Sequence, residues 1–326
     1  MVTSQSRNNP AKARKPAGKL RNAVSILIMV VGVLVLFYPF IAQKINTRQE
    51  VNVVSTYDKA QHDMDQAKRD KLLADAANYN EQIRTGQTPI SGLDEDLYTK
   101  DSLYLKQLDV DGIMGSVDIP KISVTLPIRH GTTEQALGNG VGHLYGTSLP
   151  IGGKATNAVL AAHRGLPNAE LFTRLDELGK GDVFYIHVLN KKLAYQVDAI
   201  WTVEPGDVSH FTIDPDQDYV TLLTCTPYGV NTQRLLVRGH RIPLKTAPVQ
   251  RDHGLYPDMY ILLLAVAVIA VITVVVIVRV RRSHADTVKQ KNTAITIWKS
   301  GRPANAKPSA YSDDGENFVR SYCPEP

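Results

Sequence analysis

Tyr219-Val220-Thr221-Leu222-Leu223-Thr224-Cys225, then Thr226-Pro227-Tyr228-Gly229-Val230-Asn231-Thr232-Gln233, then Arg234-Leu235-Leu236-Val237-Arg238-Gly239-His240 reads as two apolar strands joined by a turn-rich loop. Val, Thr, Tyr and Leu fit a pleated, half-buried surface. Pro227 has no N–H to give a ladder, so the first strand stops before it. If the two strands pair antiparallel, Cys225 and Arg234 open onto the same end of the sheet. A strand end then places a thiol at a rim beside a permanent cation.

Outward from this pair the same pattern repeats. Ser116–Ile119, Ser123–Ile128, Ala158–Ala162, Val183–Val188, Leu193–Val203, Val220–Cys225 and Leu235–His240 are short β-type runs separated by turn residues. Seven such runs within residues 112–245 predict a mainly β domain, a closed or nearly closed barrel or a sandwich. Two short helices interrupt them. Thr132 and Gln135 stand at capping-box spacing before a helix ended by Gly138, and Leu171, Phe172, Leu175 and Leu178 line one face of another that stops at Gly179.

Upstream, residues 51–83 contain no Gly or Pro and set Leu72, Leu73, Ala76, Tyr79 and Ile83 at helical spacing. They predict an amphipathic helix within an extracytoplasmic segment 43–83, a stalk or brace for the barrel. Residues 84–111 turn to Gly, Pro, Thr and Asp and read as a long loop.

Two uncharged apolar runs bracket everything so far: residues 23–42 (AVSILIMVVGVLVLFYPFIA) and 259–278 (MYILLLAVAVIAVITVVVIV). Each is long enough to cross a hydrocarbon core of about 30 Å, so both are expected to be transmembrane helices. The apolar core of the first is longer than that of a cleavable signal peptide, which favours a retained anchor. Residues 1–22 carry six Lys/Arg and no acid, and Arg279, Arg281 and Arg282 follow the second run. The positive-inside rule then puts both termini in the cytoplasm and residues 43–258 outside the membrane. Residues 246–258 are a linker, and 279–326, polar and aperiodic, are expected to be a disordered cytoplasmic tail.

The net charge of +5 invites a nucleic-acid reading, but the region 43–258 holds 22 Lys/Arg against 27 Asp/Glu. The basicity lies in the tails, with no basic groove interleaved with aromatics, so nucleic acid is excluded as a partner. Two cysteines, Cys225 and Cys323, cannot build a disulfide framework, and no His/Cys cluster has zinc-ligand spacing. Cys323 falls in the tail.

His163 directly follows the strand Ala158–Ala162, again at a strand mouth. A thiol is a weak nucleophile until it is a thiolate, and an imidazole that holds or returns its proton is the usual partner. A guanidinium can donate hydrogen bonds to a developing oxyanion or to a substrate backbone. Cys225, His163 and Arg234 together suit acyl transfer. His143 and His210 are further candidate bases, whereas His187 and His240 fall inside strands and read as structural.

The Thr221–Cys225 strand, the loop after it and Arg234–Gly239 resemble the signature of class C sortases. So do Ala161-Ala162-His163-Arg164-Gly165 and Gly142-His143-Leu144-Tyr145-Gly146-Thr147-Ser148-Leu149-Pro150. The likeness spans residues 110–243, and two flanking spans fit the same class. It implies a closed sortase β-barrel of about eight strands with short helices, working outside the membrane of a Gram-positive cell without catalytic metal or organic cofactor. By that similarity Cys225 attacks the Thr–Gly carbonyl of an LPXTG-like sorting signal on one pilin. His163 protonates the leaving amine, Arg234 steadies the oxyanion or the signal backbone, and a lysine amine of a second pilin takes the acyl group. Class C enzymes often carry an Asp-x-aromatic lid over the site. The best match here is Asp96-Leu97-Tyr98, with Asp101-Ser102-Leu103-Tyr104 less good, and neither has the usual Pro.

Two other functions compete with pilin polymerisation. A sortase that anchors surface proteins to peptidoglycan cross-bridges would use the same Cys/His/Arg set. A membrane-tethered scaffold would use the barrel for binding and keep Cys225 as packing. A papain-like hydrolase fits poorly, because its cysteine starts a helix and precedes its histidine in the chain.

Overall fold

The computed structural model describes residues 17–86, 95–248, 250, 252 and 257–300. They divide into two units, residues 1–255 and 256–326. The first is built on a closed barrel of eight strands: β1 (Gly115–Ile119), β2 (Val124–His130), β3 (Val141–His143), β4 (Thr156–Ala161), β5 (Val183–Val188), β6 (Lys191–Val203), β7 (Asp218–Thr226) and β8 (Gln233–Ile242). The order around the barrel is β1-β2-β3-β4-β7-β8-β6-β5, and β5 pairs back onto β1 to close it. Closure leaves no free sheet edge. Two neighbouring pairs, β2 with β3 and β4 with β7, are parallel and the rest antiparallel.

All seven expected strands form, with ends shifted by up to two residues. The eighth, β3, was not foreseen, because Val141-Gly142-His143 is short and has glycine at its centre. That glycine is what lets β3 in: a Cβ on Gly142 would lie 2.3 Å from the carbonyl oxygen of Gly131. The helix expected to end at Gly138 is Glu134–Gly138, but its cap is Thr133, not Thr132, with the Thr133 hydroxyl accepting from the Ala136 N–H. Leu171, Phe172, Leu175 and Leu178 are all buried as their spacing suggested. They do not form a helix, however, beyond a 3-10 turn at Leu175–Glu177, because Leu171 takes a left-handed backbone with φ of 43°.

The long amphipathic helix is also two pieces. α1 (Ala17–Asp63) extends from the apolar stretch into residues 51–63, and α2 (Gln66–Arg84) follows. Asp65 divides them, its carboxylate capping α2 at the Ala67 N–H. As a brace the pair holds the barrel by buried side-chain bonds to its backbone. The Tyr57 hydroxyl donates to the Met114 carbonyl and accepts from the Leu189 N–H, and Asn80 both donates to and accepts from Leu149. Of the expected loop 84–111, residues 87–94 lie outside the described residues; 95–105 are two short helices, α3 (Glu95–Lys100) and α4 (Ser102–Leu105). Asp101 caps α4, accepting from the Leu103 and Tyr104 N–H groups and from the Tyr145 hydroxyl. After them come α5 (Glu134–Gly138) and α6 (Pro257–Ser300).

Where α1 meets the loop after β4, Asn46 donates to the Asn168 carbonyl and Glu50 is buried close to Glu170. Burial, and then the Glu170 charge, raise the Glu50 carboxyl from 4.5 to about 7. Between those values the folded chain binds a proton that the unfolded chain has lost. The stability this contributes is complete below the unfolded pKa and disappears as pH rises through 7. Glu50→Gln is therefore expected to leave the thermal midpoint nearly unchanged at pH 4 and to raise it at pH 8. The gain should reach at most about 3 kcal/mol, less where water screens the site.

Within α1 the pair Leu27–Val35 and Phe37–Asp63 meets at a bend of 42°. Pro39 accounts for it, since it cannot donate to the carbonyl four residues back and its ring crowds that group. Among the described residues no single helix is long and apolar enough to cross a membrane, whereas this bent pair taken together is. In the second unit α6 continues to Ser300, so residues 279–300 are helical where a disordered tail was expected. The reason is local: no Gly or Pro occurs from Arg279 to Ser300, and Gly301 and Pro303 come just after. Residues 301–326, with Cys323, lie outside the described part, as do residues 1–16.

Candidate active site

β7 and β8 pair in the register Cys225↔Arg234, so thiol and guanidinium share one rung of the sheet. β4 lies on the other side of β7, parallel, with Ala161 opposite Leu223. Two further bonds carry that register past the strand end: Ala162 N–H to Leu223 O at 3.1 Å, and the Thr224 hydroxyl to Ala162 O at 2.8 Å. His163 is the next residue, level with Cys225. Strand pairing alone brings three side chains, separated in sequence by up to 71 positions, to one mouth of the barrel.

All three line a cleft of about 280 Å³. Its lining is apolar at Leu144, Val208, Phe211, Leu223 and Leu236 and carries carboxylates at Glu204 and Asp207. Leu144, Phe211 and Leu236 belong to a small buried cluster with Val159. Cys225 is free and half-buried. Arg234 donates to the carbonyls of Asn231 (3.2 Å) and Gln233 (3.1 Å), and among the described residues no carboxylate neutralises it. Its charge is thus held by its own loop and left for an incoming group.

Two residues that sequence reasoning passed over support this mouth. Arg164, buried beside His163, donates to the Thr226 hydroxyl at 3.2 Å and pairs with Asp176 at 2.5 Å. It therefore ties the residue after the histidine to the residue after the cysteine. Glu134, the first residue of α5, places a carboxylate oxygen 3.3 Å from His163 Nε2. The capping-box spacing was the only hint that a carboxylate-bearing helix start stood near the site.

The other candidates fall elsewhere. His143 is buried in β3 with Nδ1 against the Tyr104 hydroxyl at 2.9 Å and Nε2 against Ser148 O at 2.8 Å; burial lowers its pKa to about 4, so it is a neutral structural group. His210 stacks on Trp201. His187 and His240 sit in β5 and β8 as expected. Asp96 lies in α3, and its side chain is outside the described residues. Tyr98 is buried against Gly131, where a Cβ would collide with its ring, and its hydroxyl donates at 3.1 Å to Oγ1 of Thr133, the neighbour of Thr132 in the cleft lining. The glycine's φ of 70° and missing side chain open the seat that Tyr98 takes. Among the described residues no three His, Cys, Asp or Glu side chains converge as metal ligands.

A thiol, an imidazole and a guanidinium without an ion-pair partner among the described residues, gathered on one cleft, can attack a carbonyl, move a proton and stabilise an oxyanion. Comparison with known proteins agrees with that chemistry. Residues 117–242 match the family model described as Sortase domain. The Streptococcus pneumoniae Sortase C structure, described as bearing on catalysis and pilin substrate specificity, is 46% identical; the match covers 61% of this chain and 100% of that one with a TM-score of 0.54. Clostridium perfringens sortase C, solved with the C-terminal cell wall sorting motif, is 43% identical over 60% of this chain and 100% of its own, with a TM-score of 0.52. Sortase A of Bacillus anthracis is more distant, 26% identical over 70% of this chain and 97% of that protein.

Proposed function

The chain belongs to the sortase family of cysteine transpeptidases, with class C enzymes as its structural relatives, and on that premise we propose that it polymerises pilins. The Cys225 thiolate attacks the Thr–Gly carbonyl of an LPXTG-like sorting signal, and the tetrahedral oxyanion forms beside Arg234. The C–N bond breaks as the imidazolium of His163 gives its proton to the departing glycine amine, leaving a thioester on Cys225. A lysine amine of a second pilin attacks the thioester, His163 takes its proton, and the thiolate leaves. An isopeptide bond is the product.

The observation that carries this reading is the meeting of Cys225, His163 and Arg234 on one cleft, with the cysteine and arginine on a single rung. The apolar lining residues Leu144, Val208 and Phe211 suit the Leu-Pro part of such a signal. The class C relatives favour a pilin lysine over a peptidoglycan cross-bridge as acceptor, since the sortase A likeness is weaker. We further propose that both apolar runs are membrane spans with the barrel extracytoplasmic. Leu27, Ile28, Leu34 and Val35 in α1, and Leu263, Leu264, Val271 and Val274 in α6, are exposed side chains that water would disfavour. Tethering enzyme and membrane-held substrates to one surface raises their effective concentration.

Mass spectrometry of the detergent-solubilised chain mixed with an LPXTG-type pilin tests the reading. The expected result is a thioacyl adduct on Cys225 followed by lysine-linked pilin dimers. Resolution only by glycine-like amines would transfer the assignment to wall anchoring, and the absence of any adduct would favour a binding scaffold.

A further inference from the structure

His163 has two ring nitrogens, and one of them lies beside a carboxylate. Nε2 lies 3.3 Å from the Glu134 carboxylate, an ion-pair contact, and neither ring nitrogen makes a hydrogen bond within the protein among the described residues. A carboxylate cannot donate, so beside a neutral imidazole its charge favours the tautomer that carries its proton on Nε2. We propose that Glu134 is the positioning residue of the site: it fixes His163 as the Nε2–H tautomer, so that Nδ1 is the atom that takes up and returns the proton during transfer. This rests on the reading of His163 as the acid and base of the reaction.

The placement of Glu134 is itself built. It begins α5 immediately after the Thr133 cap, and the Thr133 hydroxyl is held from the other side by Tyr98. Tyr98 is seated in turn against Gly131 and, edge-on, against Tyr104. The segment before the barrel thereby sets where the helix starts, and the helix start sets the carboxylate. Glu134 itself is 89% exposed and does not line the cleft. Its contribution to folding is therefore small, and its effect should fall on the rate and not on the capture of the sorting signal.

The test uses the full chain in detergent, an LPXTG peptide and the variants Glu134→Ala and Glu134→Gln. Glu134→Ala is expected to slow thioacylation roughly 5- to 20-fold, a loss at the low end for proton-transfer groups because the pair is exposed to water. KM for the peptide and the thermal midpoint should stay at wild-type values. Imidazole 15N spectra of His163 should move from the Nε2–H signature towards a mixture of both tautomers. Glu134→Gln keeps an acceptor oxygen without the charge and should retain the signature and recover part of the rate. A wild-type rate and an unmoved signature in Glu134→Ala would overturn the proposal while leaving the transpeptidase reading intact. A wild-type chain that forms no thioacyl adduct at all would overturn both.

Discussion

Replacing Cys225 with alanine is expected to abolish both the thioacyl adduct and pilin transfer, with no measurable residual rate. Acyl transfer by this route passes through a covalent bond to the sulfur, and the methyl of alanine cannot form one. Nothing in the fold depends on the thiol: Cys225 is half-buried at a strand end and makes no hydrogen bond among the described residues. A change at such a site stays within about 1 kcal/mol of wild type, so the thermal midpoint should hold. His163→Ala belongs to the same experiment. It leaves the nucleophile but removes the group that protonates the leaving amine, and a fall of roughly 10²- to 10⁴-fold is expected. Intact-mass measurement separates the two, since His163→Ala should still accumulate a small adduct over long incubation where Cys225→Ala accumulates none. Transfer at the wild-type rate in either variant would remove that residue from the mechanism.

Arg234→Ala carries the second large effect. The guanidinium is held by the Asn231 and Gln233 carbonyls and opposed by no carboxylate among the described residues, so its loss breaks no buried ion pair and the barrel should fold as before. What disappears is a fixed positive charge on the same rung as the sulfur. Removing one such donor from a developing oxyanion typically costs about 10²- to 10³-fold in kcat. Arg234→Lys should recover only part of this, because an ammonium supplies a point charge without the planar fork. Steady-state kinetics distinguish the two uses of the residue. A loss confined to kcat marks the oxyanion, and a rise in KM of similar size marks the signal backbone. Wild-type values of both in Arg234→Ala would refute either role.

Much of the barrel was legible because strands advertise themselves by β-branched and aromatic runs cut by Pro and Gly, and all seven runs form. The misses share a cause. β3 exists because Gly142 has no side chain to keep it from Gly131, and Leu171 leaves helical geometry because its neighbours bury it in a left-handed turn. Periodicity within a window contains neither fact. The same holds for residues 95–105, where polar composition suggested a loop. Tyr104, fully buried among Tyr79, Tyr98, His130 and Tyr145, instead anchors two short helices there.

By itself the sequence determined the chemistry and its rough location: a thiol ended by Thr226-Pro227, a cation nine residues on across a turn, and an imidazole at the end of another apolar strand. Each follows from local rules, since proline ends a ladder and an apolar strand run fixes where its mouth lies. Only the tertiary structure decided that β4 lies parallel to β7, which sets His163 beside Cys225, because the register of a non-local pair is chosen by the whole closed sheet. It also decided that Tyr98 braces the start of α5 and that Glu134 meets His163. Those contacts join residues far apart along the chain, and no local pattern encodes a distance across the fold.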